Sequence, residues 1–306
     1  MSSYKVIITG ASGLLGRALM KEFLTHTWVV LGFALSRAKD IHLQVDLTDE
    51  VEVEKIIQQF KPDVIVHSAA QRSPDRVEKE YDDARKLNVD CSKKLAEFAR
   101  AHDAAFIYIS TDYVFDGKDP PYSENADPNP LNLYGKTKLE GEREVMKINP
   151  DSCVLRIPVI YGDEEYVGES AVSSLIPLLQ KKEPGTKISN YEIRYPCHVR
   201  DIAYVCYKLA VVKLRDPTLN SIFHWCGKQP LTKYAMAKTI AEMHNLPFSH
   251  ILPDDNPSPG AQRPKDTQLS CKRLESLGIN RYTEFYIGLM DIGIPSYASW
   301  ISVLFP

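Results

Sequence analysis

Three glycines within the first sixteen residues constrain this chain more than any other feature. Gly10-Ala-Ser-Gly13-Leu-Leu-Gly16 follows an apolar run, Lys5–Ile8, and opens an amphipathic stretch, Leu14–Leu24. Glycine permits a tight turn and lets backbone come close to a ligand, while a helix start offers free amides and the positive end of its dipole. In a strand–turn–helix setting this predicts a site for the diphosphate of a dinucleotide. Thr9, Gly10, Ser12, Gly13, Leu14, Leu15 and Gly16 are the expected contacts. A glycine trio by itself would also suit a plain tight turn, so the neighbouring segments must decide.

They favour a layered α/β chain. Strands are predicted at Lys5–Ile8, Trp28–Phe33, Asp63–His67, Ala105–Ile109 and Cys153–Ile157, alternating with helices at Leu14–Leu24, Glu50–Phe60, Asp82–Ala101 and Leu133–Lys147. The strands are almost continuously apolar, as strands covered by helices on both faces are, and the alternation reads as a doubly wound parallel sheet. After residue 160 the regularity fades. A helix at Val199–Val212 and a strand at Ile222–Trp225 are expected to return to the main sheet. The predicted organisation is therefore a main domain of residues 1–162 and 199–225, with a smaller α/β lobe of residues 163–198 and 226–306.

Composition mostly excludes. A formal charge of -3 gives no basic face for a nucleic-acid backbone. Apolar stretches such as Val29–Leu35 fall well short of the ~20 residues a membrane helix needs. The first strand starts almost at Met1, which leaves no room for a leader peptide. Cys91, Cys153, Cys197, Cys206, Cys226 and Cys271 stand singly, so neither a disulfide framework nor a zinc site is expected. No metal and a cytoplasmic location are the resulting expectations.

Two further segments bear on chemistry. About 20 residues beyond the glycine turn, chains that prefer NAD carry an acid for the ribose 2′-hydroxyl. Here Ser36-Arg37-Ala38-Lys39 follows the second strand, and a guanidinium there suits a 2′-phosphate, so NADP is expected. Asp46 and Leu47, after a short third strand, are candidates for the adenine. Tyr134-Gly-Lys-Thr-Lys138 sets a phenol and an ammonium four residues apart on one helix face. In a reductase such a tyrosine gives a proton to a carbonyl while hydride arrives from the nicotinamide. The lysine is expected to lower the tyrosine's pKa toward neutrality. The same spacing recurs at Tyr204/Lys208 and Tyr234/Lys238, but only Tyr134 follows a strand ending in Ser110-Thr111-Asp112-Tyr113.

With these segments in view, the chain resembles the dTDP-4-dehydrorhamnose reductases, extended short-chain dehydrogenases of Rossmann type. The resemblance rests on Thr9–Gly16, Ser110–Gly117 and Pro130–Lys138. It implies that Thr111 bonds the substrate carbonyl, that Tyr134 is the acid and that Lys138 tunes it and holds the ribose. It also implies that His67, Ala69 and Ala70 line the cofactor, that Asn88 supports the site, and that Arg156 lies on the cofactor side. Sugar-nucleotide dehydratases fit poorly, since they carry an acid where Tyr113 stands.

Arg194–Asp201, Phe223–Gly227, Leu231–Tyr234, Gly260–Pro264 and Leu274–Ile279 are similar to the beta regulatory subunits of methionine adenosyltransferase, relatives of those reductases. That resemblance runs from about Tyr4 to Ile287. It implies a non-catalytic, NADP-binding partner of the catalytic subunit that tunes S-adenosylmethionine synthesis. Arg194, Tyr195 and His198 are expected either to narrow a sugar pocket or simply to pack. The last ten residues, with Trp300 and Phe305, lack the basic character of the family's tail.

Overall fold

The computed structural model describes residues 3–38, 41–181 and 183–290. Its first elements are β1 (Lys5–Thr9), α1 (Leu14–Thr25), β2 (Val29–Ala34), β3 (His42–Gln44), α2 (Glu50–Phe60) and β4 (Val64–His67). Short helices α3 (Pro74–Val77) and α4 (Tyr81–Arg85) lead through a π-helical turn, Lys86–Cys91, into α5 (Ser92–Ala101). Then come β5 (Ala105–Thr111), α6 (Leu133–Ile148), β6 (Cys153–Ile157), β7 (Ile160–Tyr161), α7 (Ile176–Gln180), β8 (Thr186–Ser189) and β9 (Cys197–His198). The chain continues through α8 (Val199–Arg215), β10 (Ser221–His224), α9 (Lys233–Met243), β11 (Ile251–Asp254), α10 (Lys272–Ser276) and α11 (Phe285–Leu289).

Seven strands form one sheet in the order β10-β6-β5-β4-β1-β2-β3, every pair parallel. The expected doubly wound sheet is therefore present. Alternate residues feed opposite faces: Val6, Ile8, Val64, Val66, Ile107 and Ile109 join one core, while Ile7, Ile65, Phe106 and Tyr108 join the other. That double burial is why the strands read as unbroken apolar runs. Helices α1 and α8 cover the first face, and α2, α5 and α6 contribute to the second. Helix α8 and strand β10 do return to the main sheet, as expected.

The helix predicted over Asp82–Ala101 is broken by the π turn. The wider turn leaves the Asn88 carbonyl free to accept from Ser92 Oγ (2.9 Å) and from Tyr108 Oη (3.2 Å). Local periodicity carries no sign of this bulge, and such bulges gather at functional sites. A third core, around Tyr161, Leu175, Ile176, Met236, Ile240 and Phe285, unites α7, α9 and α11 with β8 and β11.

Candidate functional site

Strand order reverses between β1 and β4, which opens a crevice at their carboxyl ends where such sheets take ligands. The glycine turn sits there. Gly10 has φ +67°, and a Cβ on it would come within 2.9 Å of Ala69 Cα. A methyl on Gly16 would overlap the Gly10 carbonyl and lie 2.7 Å from Ala11 Cα. Helix α1 begins after Gly13 with no capping side chain and no acid in its first turn. The amides of Leu14, Leu15 and Gly16 thus face the crevice mouth without a capping acceptor, and the residues present fit a diphosphate. Ser12 Oγ donates to the Ser36 carbonyl (3.0 Å), which ties the turn to the end of β2.

Several residues expected to touch a cofactor instead hold this turn from behind. Thr9 and His67 are wholly buried. Thr9 Oγ1 accepts from the Ser68 and Ala69 amides (both 3.2 Å) and lies 2.7 Å from His67 Nδ1. His67 Nε2 lies 2.9 Å from Ser92 Oγ. Burial pushes the His67 pKa down to about 3, so the ring is neutral and serves as a spacer between β1 and α5. Asn88, also buried, takes the Gln71 amide on Oδ1 (2.8 Å) and donates to Thr137 Oγ1 (3.1 Å). Ala69 and Ala70 remain half-buried, Ala69 beside Gly10 and held by its bond to Thr9.

Arg156 corrects the reading of it as a cofactor-side residue. It is 1% exposed and bonds Glu142 through Nε (2.9 Å) and Nη2 (2.6 Å), with Ser110 Oγ donating to the same carboxylate. A guanidinium committed to a buried carboxylate has no face to offer a ligand.

At the other end of the crevice Ser36 and Arg37 are exposed. Arg37 Nη1 lies 2.8 Å from Glu165 Oε2. Asp46 is exposed and accepts from Thr48 N (2.9 Å) and Thr48 Oγ1 (2.8 Å), which hold its carboxyl below the usual range and turn the chain into α2. Leu47 packs on the core beneath α2. Lys39 and the tail residues Trp300 and Phe305 lie outside the described residues.

The reactive-group candidates converge. Thr111 ends β5, Asn132 caps α6 by accepting from Gly135 N (2.8 Å), and the cap sets Tyr134 on the first turn, where Thr111 is near enough to pull the phenol's pKa down against burial. Lys138 follows one turn later, 2% exposed, with Nζ 4.0 Å from the centre of the Tyr108 ring. The expected lowering of the tyrosine pKa is not found. Burial pushes Tyr134 up to about 12, against a smaller opposing pull from Thr111. Lys138 bears the cost of burial instead: desolvation brings it down to about 7, partly opposed by Glu142. An ammonium can lower a phenol's pKa only while it is charged, and this site favours the neutral amine.

Arg194 walls this site. It is 6% exposed and donates to the Pro264 carbonyl (3.0 Å) and to Tyr113 Oη (3.3 Å), and the Tyr113 ring meets the Tyr134 ring at 5.9 Å. Tyr195 packs in the core, and His198 caps α8 by accepting from Arg200 N (3.2 Å). Of the three bulky residues, only Arg194 reaches the tyrosine's surroundings.

Sequence reasoning missed Glu142 and Glu169. Glu142 carried a signal, since Tyr134, Lys138 and Glu142 recur every four residues along one face of α6. Glu169, 2% exposed and bonded to Arg17 by Nη1 (2.9 Å) and Nη2 (2.7 Å), carried none, because the partners are 152 residues apart. A separate open cavity of about 770 Å³ is lined by Asp75, Glu78, Lys79, Leu131, Gly260 and Gln262. Among the described residues no group of three His, Cys, Asp or Glu side chains is placed to hold a metal, and no helix is long and apolar enough to cross a membrane.

The strand order, the uncapped glycine turn and the Thr111–Tyr134–Lys138 arrangement define a class, the Rossmann-type extended short-chain dehydrogenase/reductases. A family model described as RmlD substrate binding domain matches residues 4–292. Methionine adenosyltransferase 2 subunit beta of Bos taurus is 50% identical over 94% of this chain and 86% of its own length. A dTDP-4-dehydrorhamnose reductase of Aggregatibacter actinomycetemcomitans is 32% identical over 89% of this chain and 92% of its own. Among solved structures, the Bacillus anthracis dTDP-4-dehydrorhamnose reductase in complex with NADP superposes with TM-score 0.82 at 28% identity, covering 94% of this chain and 97% of that one. The chain belongs to the RmlD substrate-binding-domain family, on the branch of the methionine adenosyltransferase 2 beta subunits.

Proposed function

We propose that this chain is an NADP-binding, non-catalytic regulatory subunit of methionine adenosyltransferase, acting in the cytoplasm on S-adenosylmethionine synthesis by the catalytic subunit. The observation that carries the reading is the 50% identity with a beta subunit across nearly the whole chain. The site agrees with binding rather than turnover. Tyr134 holds its proton up to about pH 12, Lys138 is largely uncharged above about pH 7, and Arg194 with Tyr113 closes in on the phenol. In this reading the α1 amides and the glycine turn bind the cofactor's diphosphate, Arg37 its 2′-phosphate, and Lys138 its ribose.

The test is co-purification with a methionine adenosyltransferase catalytic subunit, followed by the rate of S-adenosylmethionine formation with and without this chain. Association at micromolar concentration with a changed rate is expected. No association and an unchanged rate would remove the reading.

A second reading, reduction of a nucleotide-linked keto-deoxysugar, is favoured by the retention of Thr111, Tyr134 and Lys138 at one site, with Thr111 near enough to act on the phenol. The cofactor would supply hydride. The protein would orient the carbonyl through Thr111 and hand it the Tyr134 proton. NADPH oxidation with dTDP-4-keto-6-deoxysugar that disappears in Tyr134→Phe would support this reading. Absence of turnover by the unaltered chain would end it.

A further inference from the structure

The segment 163–170 crosses the cleft between the glycine turn and Arg37, and its acids engage both. Glu169 supplies the anchor: its buried carboxylate takes two bonds from Arg17, the residue directly after the glycine turn, while its carbonyl accepts from Arg72 Nη2 (2.5 Å). Arg17 also donates to the Ser12 carbonyl (2.9 Å) and the Asp163 carbonyl (2.9 Å), which fastens the segment to the turn. The Glu165 amide donates to Glu169 Oε2 (2.9 Å), and this bend carries the Glu165 carboxylate outward to Arg37 Nη1 at 2.8 Å, with Arg17 Nη1 at 3.5 Å, while Arg37 Nη1 also reaches Glu169 Oε1 at a longer 3.3 Å. The Tyr166 ring flanks the same guanidinium, its centre 5.5 Å from Cζ. Glu164 points the other way, onto Ser170 and Ser173.

The two ends of this strap are held very differently. Glu169 is 2% exposed, so removing its partner would strand a buried charge. Arg37 and Glu165 are 39% and 25% exposed, and an ion pair so open to water is readily exchanged for a better anion. A phosphate monoester, with nearly two charges and three acceptor oxygens, is such an anion.

We propose that Glu165 is an internal stand-in for the 2′-phosphate of NADP, and that the strap discriminates between the two nicotinamide dinucleotides. NADP must displace Glu165 from Arg37 and draw the guanidinium off its longer contact with Glu169; the repulsion between carboxylate and phosphate swings the Glu165 end of the strap outward, while Glu169 stays anchored by Arg17. NAD has no phosphate at that position and leaves the pair intact. Glu165 therefore lowers the affinity for NADP without touching that for NAD, and it couples occupancy of Arg37 to the start of the segment 163–198. The inference rests on the dinucleotide reading above and on Arg37 as the 2′-phosphate ligand.

Titration calorimetry with NADP and with NAD tests it on the full chain, Glu165→Gln, Arg37→Ala and the double variant, with thermal melting to show that each is folded. Glu165→Gln should tighten NADP about two- to fivefold, the range open to an exposed ion pair, and leave NAD unchanged. In the Arg37→Ala background the preference of that gain for NADP over NAD should disappear, whatever remains through Arg17 acting on both dinucleotides alike. Amide exchange at residues 163–168 should rise on adding NADP and not on adding NAD. An unchanged or weakened NADP affinity in Glu165→Gln, or an equal gain for NAD, overturns the strap alone. No binding of either dinucleotide to any of the four proteins overturns the strap and the dinucleotide reading together.

Discussion

Replacing Lys138 by methionine should stabilise this protein at neutral pH, and the gain should shrink as the pH rises. Lys138 is 2% exposed, and burial carries its pKa from the ordinary 10.5 down to about 7. Below pH 7 both the folded and the unfolded chain hold the proton, and the folded chain bears the full cost of a buried ammonium. Between pH 7 and 10.5 the unfolded chain binds more protons than the folded one, so stability rises with pH. The pKa change corresponds to a ceiling of about 5 kcal/mol, of which roughly 2.3 kcal/mol is recovered between pH 7 and 9. The Tyr108 ring 4.0 Å from Nζ offsets some of the cost. Methionine fills similar volume without a charge. Urea unfolding of both proteins at pH 6, 7, 8 and 9 gives the difference directly, because every other titration cancels between them. The variant should be more stable by a few kcal/mol at pH 6, with the gap closing by about half at pH 9. A gap that does not depend on pH, or a variant less stable at pH 7, would refute the assignment of the burial cost to Lys138.

Glu142→Gln leaves the Arg156 guanidinium buried without its carboxylate and should cost about 3–5 kcal/mol in denaturant unfolding, against near neutrality for an exposed control such as Glu97→Gln. Gly16→Ala forces a methyl against the Gly10 carbonyl and should abolish the thermal shift given by NADP. Arg37→Ala should weaken NADP by tenfold or more and NAD hardly at all, read by calorimetry. His67 and His224 are held neutral, each with a pKa near 3 against 6.5 when free. The unfolded chain therefore binds more protons between those values, and stability should fall as pH drops below 6.5; melting curves from pH 7 to 4.5 check the sign.

The parallel sheet was legible because its strands carry apolar residues on both faces, and the glycine turn because three small residues stand where strand meets helix. Tyr134 was separable from Tyr204 and Tyr234 by the strand before it. What local pattern could not supply was direction and distance. Thr9 and His67 looked like cofactor contacts, yet their side chains turn inward to hold the backbone that faces the crevice, in the supporting role expected of Asn88. Arg156 pairs with Glu142 across two elements, and Glu169 with Arg17 across half the chain. The tyrosine's pKa was misjudged for a related reason: spacing shows that an ammonium is near, while only the fold shows that burial brings its pKa down to about 7 and raises that of the phenol.

Both proposed roles require a dinucleotide held by the first helix's amides. Calorimetric titration of the purified full chain with NADP tests this most directly: a one-to-one isotherm at micromolar or tighter affinity, weaker with NAD, is the predicted result. Absence of heat with both dinucleotides, in protein that melts cooperatively, would contradict it.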